Sequence, residues 1–308
     1  MSDKRTRPAT AAGTWQLGDL TVNRVGFGAM RLTGGTIIGP GGGLPTSDRE
    51  RSIAVLRRAV ELGVNHIDTA AFYFSSTRSA NELINQALAP YPDDLVITTK
   101  VWPARDPSGE WWWAEPGQLR GQVEENLRQL GRDHLDVVNL RLPPSRATGS
   151  LAEHFGALAE LRDAGLVRHL GISNVTSAHL AEARSIAPVV CVQNAYSVDA
   201  PGSEQEFLRE CGELGIAFVP FFAIAGGRRE AAANDAAPAD DEAVLAVARA
   251  HGASPAQIRL AWTLAQGPHV LAIPGTGDPD HLAENVGAGA IRLSDEEIAR
   301  LGSVRSAG

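Results

Sequence analysis

Two cysteines, Cys191 and Cys211, are all that the 308-residue chain contains, which excludes a disulfide framework and fits a reducing compartment. Neither their spacing nor the scatter of the eight histidines supplies a ligand pattern, so no metal centre is expected. Long hydrophobic runs are missing as well: none approaches the roughly 20 residues a membrane span needs. The opening "MSDKRTRPATAAG" is basic but has no apolar stretch behind it. It is expected to be a short disordered tail over residues 1–13, not a signal peptide. A positive balance is also absent. Lys+Arg total 28 against 36 for Asp+Glu, a net charge of -8. Such a surface repels phosphate backbones, so nucleic acid is not an expected partner. The expectation is a soluble, cytoplasmic protein with no membrane partner; the sequence leaves its oligomeric state open.

What is present is a 44% hydrophobic chain, enough for one large core. No linker or composition break divides it, so one domain over residues 1–308 is expected; α/β barrels reach this length as a unit. β-Rich runs alternate with amphipathic helices: "GVNHID" from Gly63, "LVITTK" from Leu95, "LDVVNL" from Leu135 and "LVRHLGIS" from Leu166. They continue with "VVCVQN" from Val189, "IAFVPFF" from Ile216 and "VLAIPG" from Val270, while "NRVGFGAM" from Asn23 is a weaker first strand. Most are Val/Ile/Leu-rich without alternation, as strands of a helix-covered parallel sheet are.

The helices are punctuated in the same way. Ser150 with Glu153 and Ser294 with Glu297 read as capping boxes, and Ser254 with Pro255 opens another helix. Eight β-α units predict a (β/α)8 TIM barrel. A hairpin over residues 14–21 would plug its floor, and an extra helix would follow at the C-terminus. A doubly wound sheet would want a G-x-G-x-x-G turn that "GFGAMR" does not supply. The glycine-rich stretch from Thr33 to Ser47 lacks the Gly-Lys-Ser/Thr of a P-loop and reads as a plain loop. The stretch from Gly226 to Asp241 carries Arg228 and Arg229, which can reach a phosphate.

In such a barrel the chemistry sits at the C-terminal ends of the strands. The polar residues there are Asp68, Lys100, Arg141, Ser173 with Asn174, Gln193, and the turn Gly275–Thr276. Any one of them alone can be a solvated strand end; converging on one mouth they are harder to dismiss. Tyr73 lies five residues past Asp68. A lysine paired to a carboxylate stays charged, and a tyrosine beside that ammonium is expected to have a lowered pKa. Such a tyrosine can give a proton to a carbonyl oxygen and take it back in reverse.

The stretches "GVNHIDTAAFY" (Gly63 to Tyr73), "ITTK" (Ile97 to Lys100), "GISN" (Gly171 to Asn174), "VQNAY" (Val192 to Tyr196) and "IPGTGDPDHLAEN" (Ile273 to Asn285) resemble the aldo-keto reductase signatures. They come in family order and span residues 14 to 302. The resemblance implies a barrel that binds NADPH, with NADH not excluded, and reduces a small-molecule carbonyl substrate without metal. It makes Tyr73 the general acid, Lys100 its tuner and Asp68 the anchor of Lys100. Ser173, Asn174 and Gln193 would hold the nicotinamide carboxamide, and Phe221 would stack on the ring. Gly28, Met30, Gly275, Thr276, His281, Glu284 and Asn285 complete the implied cofactor site.

There are departures. Arg141 stands where the family has its fourth catalytic residue, a histidine, and Phe74 stands where glycine usually follows the tyrosine. Gly275 and His281 replace residues that are often basic, a loss Arg228 or Arg229 can offset. Arginine offers up to five donors in a rigid fork and keeps its charge, so the pocket should favour substrates with an oxyanion beside the carbonyl. Phe74, Trp102, Trp111 and Arg141 are the implied substrate pocket. Of the run Trp111 to Trp113, one or two rings can face it, and a packed loop or dimer contact is the equal alternative. "LDVVNLR" (Leu135 to Arg141) and "NVTSAHLAEARSIA" (Asn174 to Ala187) resemble the family's bacterial pyridoxal reductase-like branch. Pyridoxal is therefore the leading substrate expectation. The alternatives are a tailoring reductase of a keto-sugar or other secondary metabolite, and an NADPH-binding sensor barrel with little turnover.

Overall fold

A computed structural model describes residues 7–33, 48–75, 78–106, 108–143, 149–198, 202–224 and 242–303, with nothing said of the side chains at 202 and 203. The inner wall is built from the apolar runs. Strands β3 (Phe27–Gly28), β4 (His66–Asp68), β7 (Val96–Val101), β10 (Leu135–Arg141), β11 (Val167–Ser173), β12 (Val189–Gln193) and β13 (Ala217–Phe218) pair side by side in chain order. Every pairing between these neighbours is parallel. Helices α1 (Arg49–Glu61), α2 (Ala80–Leu88), α3 (Leu119–Leu130), α4 (Ala152–Asp163), α5 (Ser177–Ile186) and α6 (Gly202–Glu213) are the crossovers. Helices α7 (Glu242–His251), α8 (Pro255–Ala265), α9 (Pro279–Gly287) and α10 (Asp295–Gly302) follow.

The eighth station is held by residues 270–274 without regular strand pairing. Leu271 N donates to Phe218 O at 2.9 Å on one side, and Ala272 N donates to Arg24 O at 2.8 Å on the other. Isolated bridges Phe218↔Val270 and Val25↔Ala272 thereby close the sheet into a (β/α)8 barrel. Pro274 has no N–H to extend this ladder. Closure leaves no room at its end: a Cβ on Gly275 would lie 2.5 Å from Gly28 O, and one on Gly28 would lie 2.6 Å from Ile273 O.

The hairpin β1 (Thr14–Leu17) with β2 (Leu20–Asn23) plugs the floor, two residues longer than expected. Leu17 and Val22 are buried in one cluster with Val96, Val137, Cys191, Ala217 and Leu271 at the lower ends of the barrel strands. The turn is latched to the wall: Asp19 accepts from Arg168 Nη2 at 2.5 Å and pairs with His169 Nε2 at 2.7 Å. A side chain on Gly18 would collide with the His169 ring, and its φ of +64° favours glycine in any case.

Three expectations are corrected. The disordered tail does not extend to residue 13: Pro8–Ala12 form a 3₁₀ turn with Ala9 fully buried, and Ala9 N donates to Leu62 O. Residues 1–6 lie outside the described part. Ser150 and Glu153 do not form a capping box. Glu182 of α5 outcompetes it, accepting from Ser150 Oγ at 2.6 Å and Leu151 N at 2.9 Å, so the anion at the start of α4 comes from the next helix. The run from Ile216 is a strand only at Ala217–Phe218, with Phe221 bridging Ala195 beyond Pro220. The boxes at Ser254 (with Gln257) and Ser294 (with Glu297) are formed, and α10 is the extra C-terminal helix.

Candidate active site

Parallel register brings Asp68, Lys100, Arg141, Ser173 and Gln193 to the same end of the barrel; Arg141 pairs with Ser173, and Ser173 with Gln193. Lys100 and Asp68 are each 3% exposed. Lys100 Nζ donates to Asp68 Oδ1 at 2.5 Å and to Thr69 O at 3.0 Å. The other oxygen of Asp68 accepts from Gln193 Nε2 at 2.8 Å. Burial alone would depress the Lys100 ammonium, but Asp68 and Tyr73 outweigh it and the net shift is upward. The lysine is therefore a cation at neutral pH.

Tyr73 sits in the turn after β4, where its N donates to Ala70 O at 3.0 Å. Its ring centroid is 4.9 Å from Lys100 Nζ. Here the expected lowered pKa is corrected. Burial pushes the phenol above its ordinary value, Asp68 adds to the rise, and the opposing pull of Lys100 and Arg141 does not offset them. Tyr73 is held as a protonated donor.

Arg141 donates from Nη1 to Ser173 Oγ at 2.9 Å, and its guanidinium carbon lies 4.9 Å from the Phe221 ring centroid. Among the described residues no carboxylate lies within 4 Å of it. Two cations and one carboxylate thus share the mouth of an acidic protein. The guanidinium occupies one face of Phe221, the ring expected to stack on a cofactor.

The three residues expected at the carboxamide do come together. Asn174, at φ +60°, donates from its backbone N to Gln193 O at 3.0 Å and from Nδ2 to Leu142 O at 3.0 Å. Gln193 Oε1 is buried without a partner. A free acceptor beside a serine hydroxyl fits an amide group, and this orphaned atom is the structural sign that the set suits a nicotinamide.

The remaining residues spread along the closing segment. Thr276 is buried, its Oγ1 accepting from Asp278 N at 3.0 Å. Asp278 caps α9, accepting from the N–H groups of Asp280 and His281, with Asn285 buried and His281 and Glu284 exposed on that helix. Met30 is half-buried in the turn Ala29–Thr33 after β3. Arg228 and Arg229 lie outside the described residues. Sequence reasoning missed Arg51 of α1, whose guanidinium forms an ion pair with Asp278. No local pattern connects positions 51 and 278.

Around the mouth, Trp111 meets Phe72 edge-on at 5.5 Å, and Phe72 meets Tyr73 at 5.1 Å. Trp111 and Trp113 stack at 6.4 Å on one face of the hairpin β8 (Pro103–Arg105) with β9 (Trp111–Trp113), leaving Trp112 on the other. Phe74 is half-buried under Arg105, 5.1 Å from its guanidinium. Trp102 stacks on His154 at 3.9 Å and offers almost no exposed ring. Beneath the mouth, burial drives His66 down to about 4 and the Cys191 thiol up to about 12, so neither carries charge.

Comparison with known proteins agrees with this arrangement. The model of the Aldo/keto reductase family matches residues 24–306. Pyridoxine 4-dehydrogenase of Escherichia coli (strain K12) is 42% identical over 299 residues, covering 96% of this chain and 99% of that protein. An uncharacterized oxidoreductase of Schizosaccharomyces pombe is 38% identical, covering 95% and 90%. A thermostable aldo-keto reductase crystallised with the inhibitor epalrestat superposes with a TM-score of 0.74 at 31% identity, covering 94% and 98%. An aldo/keto reductase from Klebsiella pneumoniae in complex with NADP and acetate gives 0.73 at 25% identity, covering 92% of each chain. The chain belongs to the aldo/keto reductase family of oxidoreductases.

Proposed function

We propose that the chain is an NADPH-dependent carbonyl reductase whose substrate is a small aldehyde with an oxyanion beside the carbonyl, pyridoxal being the first candidate. One observation carries this reading: Asp68, Lys100 and Tyr73 form a buried proton-donating set beside an arginine that has no carboxylate partner among the described residues. The likeness to pyridoxine 4-dehydrogenase and the NADP bound to the Klebsiella pneumoniae neighbour support it. NADPH, when bound, supplies the hydride. Ser173, Asn174 and Gln193 hold its carboxamide and so decide which ring face meets the substrate. Tyr73 gives its hydroxyl proton to the carbonyl oxygen, and Lys100, fixed by Asp68, stabilises the phenolate left behind. The Arg141 fork binds the neighbouring oxyanion. Loss of NADPH absorbance with pyridoxal, far above a Tyr73→Phe control, is the test. Tight cofactor binding with negligible turnover across a carbonyl panel would replace an enzyme by a sensor.

Arg141 lowers the Tyr73 pKa, so removing its charge raises that pKa further. Alcohol oxidation needs the phenolate and climbs with pH towards this value. In Arg141→Met the climb shifts to higher pH, as kcat/KM profiles for pyridoxine oxidation would show. Preference for pyridoxal over benzaldehyde falls roughly tenfold to hundredfold, the loss of one charge-assisted hydrogen bond.

We assign to Arg51, paired with Asp278 in the cofactor segment, a contact with the cofactor's 2′-phosphate that it makes by exchanging partners. Arg51→Ala should raise KM for NADPH by roughly tenfold while leaving NADH unaffected. Equal effects on both cofactors would remove Arg51 from phosphate binding.

A further inference from the structure

Beside the barrel mouth lies a cavity of about 570 Å³, walled by α2, α3, the hairpin β8–β9, and the hairpin β5 (Phe74–Ser75) with β6 (Arg78–Ser79). Phe72, Phe74 and Lys100 line it, whereas Tyr73 does not, so the cavity adjoins the carbonyl site from the outer side of the lysine. Partnerless polar groups converge there. Arg78 Nη1 is buried with no hydrogen-bond partner, and so is the Oγ of Ser75, its opposite number in the hairpin register. Arg105 lines the same space and, among the described residues, donates only to main-chain oxygens, Phe74 O at 3.3 Å and Gly109 O at 3.4 Å. Among the described residues neither guanidinium has a carboxylate within 4 Å.

The carboxylates on the helix side do not fill this role. Glu125 accepts from Arg128 at 2.7 Å and from Gln129 at 2.7 Å, and Glu82 also faces Arg128 at 4.0 Å. On the hairpin side the nearest carboxylate, Asp106, acts on Arg105 only at a distance, its side chain being taken up by Ser108 and Glu110 N. A buried guanidinium N–H without an acceptor is destabilising until something satisfies it. A planar or tetrahedral oxyanion does so with two-pronged geometry that water lacks.

We propose that this cavity is an anion site alongside the carbonyl site and distinct from Arg141, in which Arg78 and Arg105 clamp a phosphate or carboxylate. The anion is either the far end of a substrate or a free metabolite. The site bears on Tyr73 through the chain itself. Its hairpin begins at the next residue, and Ala80 N at its end donates to Tyr73 O at 2.9 Å. An occupied clamp thus fixes both ends of the segment that positions the phenol.

The test is calorimetric titration of the NADP⁺-saturated enzyme, whose cofactor phosphate sites are filled, with inorganic phosphate and with benzoate. One saturable site is expected, weakened by roughly tenfold or more in Arg78→Met and in Arg105→Met, as for loss of a charged contact. Arg78→Lys and Arg105→Lys, which keep charge but lose the fork, give intermediate binding and cover the case in which a Met variant does not fold. Binding that survives both Met replacements but disappears in Arg141→Met puts the anion at the carbonyl site and overturns the proposal. So does the absence of any saturable binding, which leaves water as the occupant. The source follows from kinetics. If KM in Arg78→Met rises for pyridoxal 5′-phosphate but not for pyridoxal, the anion is part of the substrate. If both KM values hold while added phosphate changes kcat only in the parent, it is a free ligand. Binding is read directly, so the result stands whatever the carbonyl substrate proves to be.

Discussion

A Tyr73→Phe enzyme should bind NADPH as tightly as the parent and reduce pyridoxal roughly 10²- to 10⁴-fold more slowly, the range over which positioned proton donors act. The substitution removes one oxygen and keeps the ring. The edge contact with Phe72 at 5.1 Å and the Lys100 ammonium 4.9 Å from the ring centre both remain available to phenylalanine. Loss of rate therefore reports the missing proton and not a collapsed pocket. Because burial holds the parent phenol above its ordinary pKa, the donor is present throughout the neutral range. Fluorescence titration of the cofactor and steady-state kcat measure the two halves of the expectation. A kcat near the parent's would remove Tyr73 from the chemistry, while weakened cofactor binding would point to a packing role.

The second large effect concerns the buried ion pair. Lys100→Met leaves the Asp68 carboxylate 3% exposed with Gln193 as its remaining side-chain donor, and Asp68→Asn leaves an ammonium equally stranded. Breaking a buried pair from one side costs about 3–5 kcal/mol, since a desolvated charge is left uncompensated. Each single variant should lose that much stability in urea denaturation, along with most activity. The double variant Asp68→Asn/Lys100→Met carries no stranded charge. It should be more stable than either single variant and remain inactive. If the two losses simply add, the pair is not coupled and the account of the site is wrong.

Much of this site was legible in the chain because it is made of strand ends. Apolar runs at Leu95, Leu135, Leu166 and Val189 each stop at a polar residue, and a parallel barrel has only one mouth at which those ends can meet. What escaped depended on depth or on distance along the chain. The direction of the Tyr73 shift turns on how completely the ring is desolvated, which residue types do not encode. The ion pair of Arg51 with Asp278 joins positions 227 residues apart. Glu182 displaces a local capping pattern at Ser150 for the same reason: the stronger acceptor arrives from another helix. The eighth strand looked ordinary in sequence, yet it closes the barrel through isolated bridges, and Gly28 and Gly275 meet backbone to backbone at its end.

The hydrogen bond between Gln193 and Asp68 settles more than an ion-pair geometry. A carboxylate can only accept, so the atom of Gln193 that faces it must be the nitrogen, and the oxygen must face the other way. The amide cannot flip without setting oxygen against oxygen. Whatever approaches its free end therefore meets lone pairs. A dinucleotide whose pyridine ring bears an amide can offer N–H to them; its deamidated counterpart, with a carboxylate at that position, can offer only repulsion. With Gln193 at the carboxamide as proposed, the same aspartate that anchors Lys100 would let the barrel tell nicotinamide from nicotinic acid.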